Sequence, residues 1–283
     1  MENSIYPKIK NAILLCLLFL GIQIGFGIIF AIYQLILDIS DASPVMGVIY
    51  IISDLIIFGI VLFIGFKKTK LNFNEVFKLN RVSPFLWGVA TIMTIGLAIV
   101  MSEINNAILF ILPMPEWLSE LFSTLLQDQP LFISLIYIGL IAALCEELLF
   151  RGLILDGFVK NYSKKKAIII SALLFGLVHL NPWQFVVGFI VGLVLAWICI
   201  ETKSILLCIY IHFLNNAGAV IMFRLNDVIP IKGFNIAEPV SFQPIWFTLS
   251  GLVLLSVGIL LFYNSTKKLK TEAQYCDLEK NDS

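Results

Sequence analysis

Apolar runs long enough to cross a membrane recur along nearly the whole chain, and they restrict its architecture more than any other feature. The hydrocarbon core of a bilayer takes roughly 20 apolar residues of helix. Eight stretches are candidates: residues 11–37, 44–66, 84–112, 131–155, 166–181, 182–200, 203–223 and 244–263. With no water to satisfy backbone N–H and C=O groups, such segments must be helical. The expected fold class is therefore all-α, a polytopic membrane protein built as an eight-transmembrane-helix bundle. Composition agrees, since 59% of the 283 residues are hydrophobic and 13% charged, more apolar than a soluble core requires. Asn181-Pro182 separates the fifth run from the sixth, because the residue before a proline is steered away from helix.

The charged residues give the chain a direction. The formal net charge is zero, which offers no footprint for nucleic acid, but the distribution is uneven. Placing the N-terminus in the cytoplasm puts 16 of the 19 Lys and Arg on that side. They fall in the N-terminal segment, in the loops around 67–81, 160–166 and 203, and after 264. Only Arg224 and Lys232 fall outside, and Arg151 lies within a span. By the positive-inside rule the expected location is the cell membrane, multi-pass, with both termini cytoplasmic. The first run is too long for a signal-peptide core and is read as a retained span. Five cysteines without CxxC spacing give no disulfide framework.

Three regions follow. Residues 1–130 hold helices 1–3 and an amphipathic interfacial segment, 113–130, with Trp117, Leu118, Leu121, Phe122, Leu125 and Leu126 interleaved with acids. Residues 131–223 form the core that carries polar chemistry. The last span, 244–263, precedes a polar tail, 264–283, expected to be disordered.

Within that core, LCEELLFRG (144–152) places Glu146, Glu147 and Arg151 inside a span, and the two histidines of the chain, His179 and His212, also fall within spans. An acid or arginine at mid-span costs ~2.5 to 3.5 kcal/mol on insertion scales, so intramembrane ionisable groups mark functional sites. Counted from the lysine-rich ends at 1.5 Å per residue, Glu146, His179 and His212 come to about 15, 18 and 14 Å depth. Glu147 and Arg151 are i and i+4 and share a face, which turns Glu146 by roughly 100° toward a cavity. His212 and Asn216 share a face by the same spacing, so Asn216 can orient the imidazole or donate to an oxyanion. Small residues Ala172, Gly176, Gly188, Gly192 and Ala196 allow close helix contact.

A carboxylate buried beside imidazoles can take a proton from water and return it to a leaving amine. Alternatively, His179, His212 and Glu146 could hold a zinc ion as three ligands of an open site. HExxH and G-x-S-x-G are absent, and Cys145, next to Glu146, points to another face. Asp54, and Glu103 with Asn105 and Asn106, are further polar residues within spans. A rival reading is a non-catalytic bacteriocin immunity or membrane scaffold protein, its polar cluster serving helix packing or peptide binding. A proton-coupled transporter would show paired, Gly/Pro-broken spans in matching halves, which the sequence lacks.

EELLFR (146–151), FGLVH (175–179) and HFLNN (212–216) resemble the EExxxR, FxxxH and HxxxN motifs of the CPBP intramembrane proteases. That family includes type II CAAX prenyl endopeptidases, bacteriocin-processing and self-immunity proteins, and Abi proteins. The resemblance covers about 130–220. It implies an eight-helix intramembrane endopeptidase whose cavity opens to the cytoplasm and whose substrate is a membrane-embedded or membrane-associated peptide or protein. By motif, Glu146 would activate water and His179 would assist proton transfer. His212 and Asn216 would stabilise the oxyanion, with Glu147 and Arg151 in support. Both a zinc-dependent and a metal-free glutamate mechanism are compatible with the resemblance.

Overall fold

The structure is a computed structural model that describes residues 5–37, 43–226, 228–234 and 240–281; the side chains of 269, 270 and 272–281 are not described. Lys270, Cys276 and Lys280 therefore lie outside the described side chains. Among the described residues the chain is all-α, with ten helices. They are α1 (Ile9–Leu37), α2 (Pro44–Thr69), α3 (Phe73–Phe77), α4 (Pro84–Ile111), α5 (Glu116–Ser123), α6 (Leu131–Asn161), α7 (Lys164–Leu177), α8 (Pro182–Thr202), α9 (Leu206–Arg224) and α10 (Ile245–Asn281).

Local chemistry sets several boundaries. α2, α4 and α8 each begin at Pro, preceded by Ser43, Ser83 and Asn181. Proline tolerates the first helical position because its missing N–H would be unpaired there anyway. The Asn181 carboxamide oxygen caps α8 by accepting from Gln184 N at 2.8 Å. Lys70, Lys78 and Lys203 close α2, α3 and α8 in the left-handed conformation, at φ 57°, 44° and 50°.

Two expectations are corrected. Seven described helices, not eight, are long and apolar enough to cross a membrane. The candidate 166–181 forms α7, 14 residues long, or about 21 Å. Its last turn gives way at Val178 because the chain must reverse before Pro182. The tail expected to be disordered from 264 instead continues α10 to Asn281. Its Lys, Leu, Glu, Ala and Gln are strong helix formers, and propensity extends the span where burial no longer does.

Contacts fix the directions of the helices. A Cβ on Gly176 would meet Phe185 O and Phe189 N, and one on Gly192 would meet Ala172, so α7 and α8 run antiparallel at near-backbone contact. Gly258 against Met93, with Gly251 against Ile99, makes α4 and α10 antiparallel in the same way. At one end of the bundle Pro7 lies against Gly157, and the Lys68 ammonium sits 5.9 Å from the Tyr6 ring centre. Ile205 N donates to Lys78 O there. Phe262 of α10 stacks edgewise on Trp197 near the end of α8. The described N-terminal segment, the lysine-rich turns and the Phe262 region of α10 thus gather at one end.

At the opposite end Trp183 Nε1 donates to Leu112 O at 2.8 Å. Glu116–Ser123, continued by a π-helical turn Thr124–Asp128, docks on the end of α9. The Arg224 guanidinium donates there to the carbonyls of Leu126 and Gln129. α6 is the central rod, buried on every face from Leu149 to Phe158. Its apolar side chains there meet neighbours all round, and the two charged residues among them, Arg151 and Asp156, are paired.

Candidate active site

α6 departs from α-helical geometry twice, at Leu135–Ile141 and at Leu148–Ile154, where the turns are π-helical. The N–H of Ala142 donates to Tyr137 O and that of Leu155 to Phe150 O, five residues back instead of four. One α-helical turn, Ala142–Glu147, remains between them, and both acids lie at its end. Each widened turn frees a carbonyl from its usual i+4 partner, and neighbouring helices supply donors. Asn216 Nδ2 of α9 donates to Ile138 O at 3.0 Å. The Cys199 thiol of α8 faces Arg151 O at 4.0 Å. π-turns inside α-helices occur disproportionately at functional sites.

Glu147 is wholly buried, as are Arg151 and His212 but for a few per cent of their surface. Glu147 Oε1 accepts from Arg151 Nη1 at 2.9 Å and lies 2.9 Å from His212 Nδ1. Because a carboxylate oxygen accepts, Nδ1 of His212 carries the hydrogen in this arrangement. Arg151 Nη2 reaches Gly192 O at 3.4 Å, and its guanidinium lies 4.3 Å from the centre of the Phe175 ring. Glycine at 192 lets α7 pack close beside it, since a Cβ there would stand 3.1 Å from Ala172 and 3.3 Å from Phe175, a tight fit. Phe175 is the hub: its ring meets His179 at 5.4 Å and His212 at 5.8 Å, edge to face in both cases.

Glu146 has a different surrounding. Its side chain is 19% exposed, against 0% for Glu147. Its Oε2 lies 3.9 Å from His212 Nε2 and, though buried, accepts no hydrogen bond among the described residues. His179 Nδ1 sits 2.9 Å from Phe175 O, so this ring too holds its hydrogen at Nδ1 and leaves Nε2 as an acceptor. His179 closes the α7–α8 hairpin. It is followed by Leu180, a non-glycine residue at φ 56°, and its carbonyl accepts from Asn181 Nδ2 at 2.9 Å. A left-handed leucine costs roughly 1–2 kcal/mol, and such strain clusters at functional sites.

The structure gives each residue predicted from sequence a definite place. Arg151, His179 and His212 meet the Phe175 ring, and Glu146 and Glu147 of α6 approach His212 from its two ring nitrogens. Asn216 lies one turn along α9 from His212, but its amide holds the Ile138 carbonyl, and Glu147 is the group that orients the imidazole. Asn215 donates to Asn216 Oδ1 at 3.3 Å, which fixes the amide's orientation. Cys145 packs in the apolar core. Glu103 accepts from Asn106 and from Gln243 N, tying α4 to the segment before α10. Asp54 of α2 lies within electrostatic reach of Glu146 and one turn from Tyr50, whose ring stacks on Tyr137 of the first π-turn. The spacing places Phe175 four residues before His179, where it packs on that ring, but the π-turns, the contacts of Phe175 with Arg151 and His212, and the hold of Glu147 on His212 are not visible in it.

A three-ligand zinc site needs three donors directed at one point. Among the described residues no three His, Cys, Asp or Glu side chains gather closely enough to hold a metal ion. His179, His212 and Glu146 as placed do not fit the ligand set, and the chemistry below uses the side chains alone.

Residues 128–218 match the family model described as type II CAAX prenyl endopeptidase Rce1-like. The match contains every residue of the site, in agreement with the motif resemblance. Neither the curated proteins nor the solved structures contain a match.

Proposed function

We propose that this multi-pass membrane protein is an intramembrane endopeptidase of the kind its 128–218 segment matches, with Glu146 as the base that activates water. The observation that carries this reading is the contrast between adjacent acids. Each acid keeps one buried oxygen without a hydrogen bond, but Glu147 is held through its other oxygen by Arg151 and His212, whereas Glu146 forms no such pair among the described residues and stands opposite a free imidazole nitrogen. The 3.9 Å gap between Glu146 Oε2 and His212 Nε2 is too long for a direct bond and short enough for one water to touch both.

In this mechanism the water gives one proton to Glu146 while His212 Nε2 accepts its second O–H and aims the oxygen. The resulting hydroxide attacks the substrate carbonyl carbon, and the C=O electrons move to oxygen. Asn216 has a second amide hydrogen beyond the one given to Ile138, and that hydrogen is offered to the oxyanion. On collapse the C–N bond breaks and the leaving amine takes the proton held by Glu146, with His179 Nε2 as relay. Glu147 and Arg151 touch no reacting atom; they position His212.

The proposed substrate is a peptide bond in a membrane-embedded or membrane-associated protein. The lysine-rich end of the bundle, with both termini, faces the cytoplasm of the cell membrane. The test is cleavage of a membrane-reconstituted peptide library by the purified protein. Glu146→Gln lowers turnover by about 10² to 10⁴ on this reading, and unchanged turnover would return the polar cluster to a packing or peptide-binding role.

A further inference from the structure

A cavity of about 370 Å³ opens among the lysine-rich ends of α6, α7 and α8, beside the loop that follows α3. Lys78, Lys164 and Lys203 line it, with Arg151 among the deeper groups. Asp156 is the one carboxylate in the lining, and it is already engaged by Lys78 and by Lys160. Lys164 and Lys203 form no ion pair among the described residues. Both are fixed by the backbone: Lys164 opens α7 and Lys203 closes α8 at φ 50°, its carbonyl held by Asn80. Leu155, Val159 and Ile200 make the remaining wall apolar.

The cavity therefore joins two unpaired ammonium groups to an apolar wall at the end of the membrane-spanning helices. We propose that it binds a phosphate group, and that the source is the headgroup of an anionic phospholipid. The charge balance selects an anion, because the lining carries more cations than its single engaged carboxylate can neutralise. The apolar wall and the position at the membrane boundary select a lipid over a soluble ion, as in basic pockets between transmembrane helices that take lipid headgroups. Arg151 lines this cavity and also holds Glu147, so the occupant would sit behind the site without entering it.

The experiment titrates the purified full chain in neutral detergent with phosphatidylglycerol, with phosphatidylcholine and with inorganic phosphate. Native mass spectrometry counts bound lipid, and thermal unfolding reports phosphate. The wild-type protein should hold one phosphatidylglycerol in preference to phosphatidylcholine. Lys164→Ser with Lys203→Ser should weaken it by roughly tenfold or more. Lys164→Arg with Lys203→Arg should keep it, as should Lys67→Ser with Lys68→Ser outside the cavity. Stabilisation by inorganic phosphate that vanishes in the double serine variant would keep the anion site and overturn the lipid as its source. No lipid selectivity, or affinity unchanged in the double serine variant, combined with no response to phosphate, would overturn the site.

Discussion

Nδ1 of His212 lies 2.9 Å from Oε1 of Glu147, so a catalytic candidate on α9 is oriented by an acid on α6 and not by its own helix neighbour. The same oxygen is held by Arg151. Neutralising one acid of the adjacent pair should therefore impair chemistry, and neutralising the other should impair the framework.

Glu146→Gln should lower turnover by about 10² to 10⁴ and leave thermal unfolding in detergent close to wild type. Glu147→Gln should lose stability, because it strands the buried Arg151; breaking a buried pair costs about 3 to 5 kcal/mol. Parallel cleavage and unfolding assays separate the two. Equal loss of stability in both variants would contradict the division of roles.

Arg151→Lys retains the charge but not the fork that reaches Glu147 and Gly192 or the face that stacks on Phe175. Turnover should fall with this nominally mild change. A wild-type rate and melting curve would show that charge alone suffices.

Asn216→Ala removes the donor to Ile138 O at the first π-turn. The Ile138–Asn216 bond is half-buried, so the loss falls toward the lower end of the about 1 to 3 kcal/mol that an unsatisfied buried carbonyl costs, and the melting temperature should drop. Turnover, normalised to folded protein, should fall further because the second amide hydrogen is lost. A stability loss with normal specific activity would confine Asn216 to the framework role.

Gly176→Ala places a Cβ 2.8 Å from Phe185 O and 3.0 Å from the Phe185 ring, so α7 and α8 must separate and His179 must move. Activity and stability should both decline. Gly25→Ala on α1 meets nothing within 4 Å and should be neutral or slightly stabilising, since alanine favours helix by roughly 1 kcal/mol. Loss in the second variant comparable to the first would remove the close-packing explanation.

Much of this site could be read from residue type and periodicity. Glu147 and Arg151 are visible as a pair because i,i+4 spacing survives across the start of the second π-turn, and the short antiparallel contact of α7 with α8 follows from Gly176, Gly188 and Gly192. What periodicity misses is any change of period. Residues 135–141 and 148–154 contain no proline, and the single glycine in each, Gly139 and Gly152, does not by itself announce a π-turn, so nothing local signals the alignment of Asn216 with Ile138. The count of spans failed at α7 for a related reason. Residues 167–178 are apolar apart from Ser171, but the reversal at 178–181 consumes residues a spanning helix would need. The helicity of 264–281 is not legible in polarity alone, because a polar stretch rich in Lys, Glu, Ala, Leu and Gln also favours helix.

The paired π-turns make the register of α6 a matter of arithmetic along the chain. A π-turn accommodates one residue more than its α-helical equivalent, so excising a single residue from 148–154 would let the rod relax to ordinary pitch. Because the wider turn already takes up the extra residue, the flanks would stay in phase, and Glu147 and Arg151 would stand at i,i+3 or i,i+4, still on one face. The same excision from the ordinary α-helical turn 142–147 has no such slack and would rotate the segment before it by about 100° relative to Arg151, so tolerance of a deletion switches within a few residues along one rod.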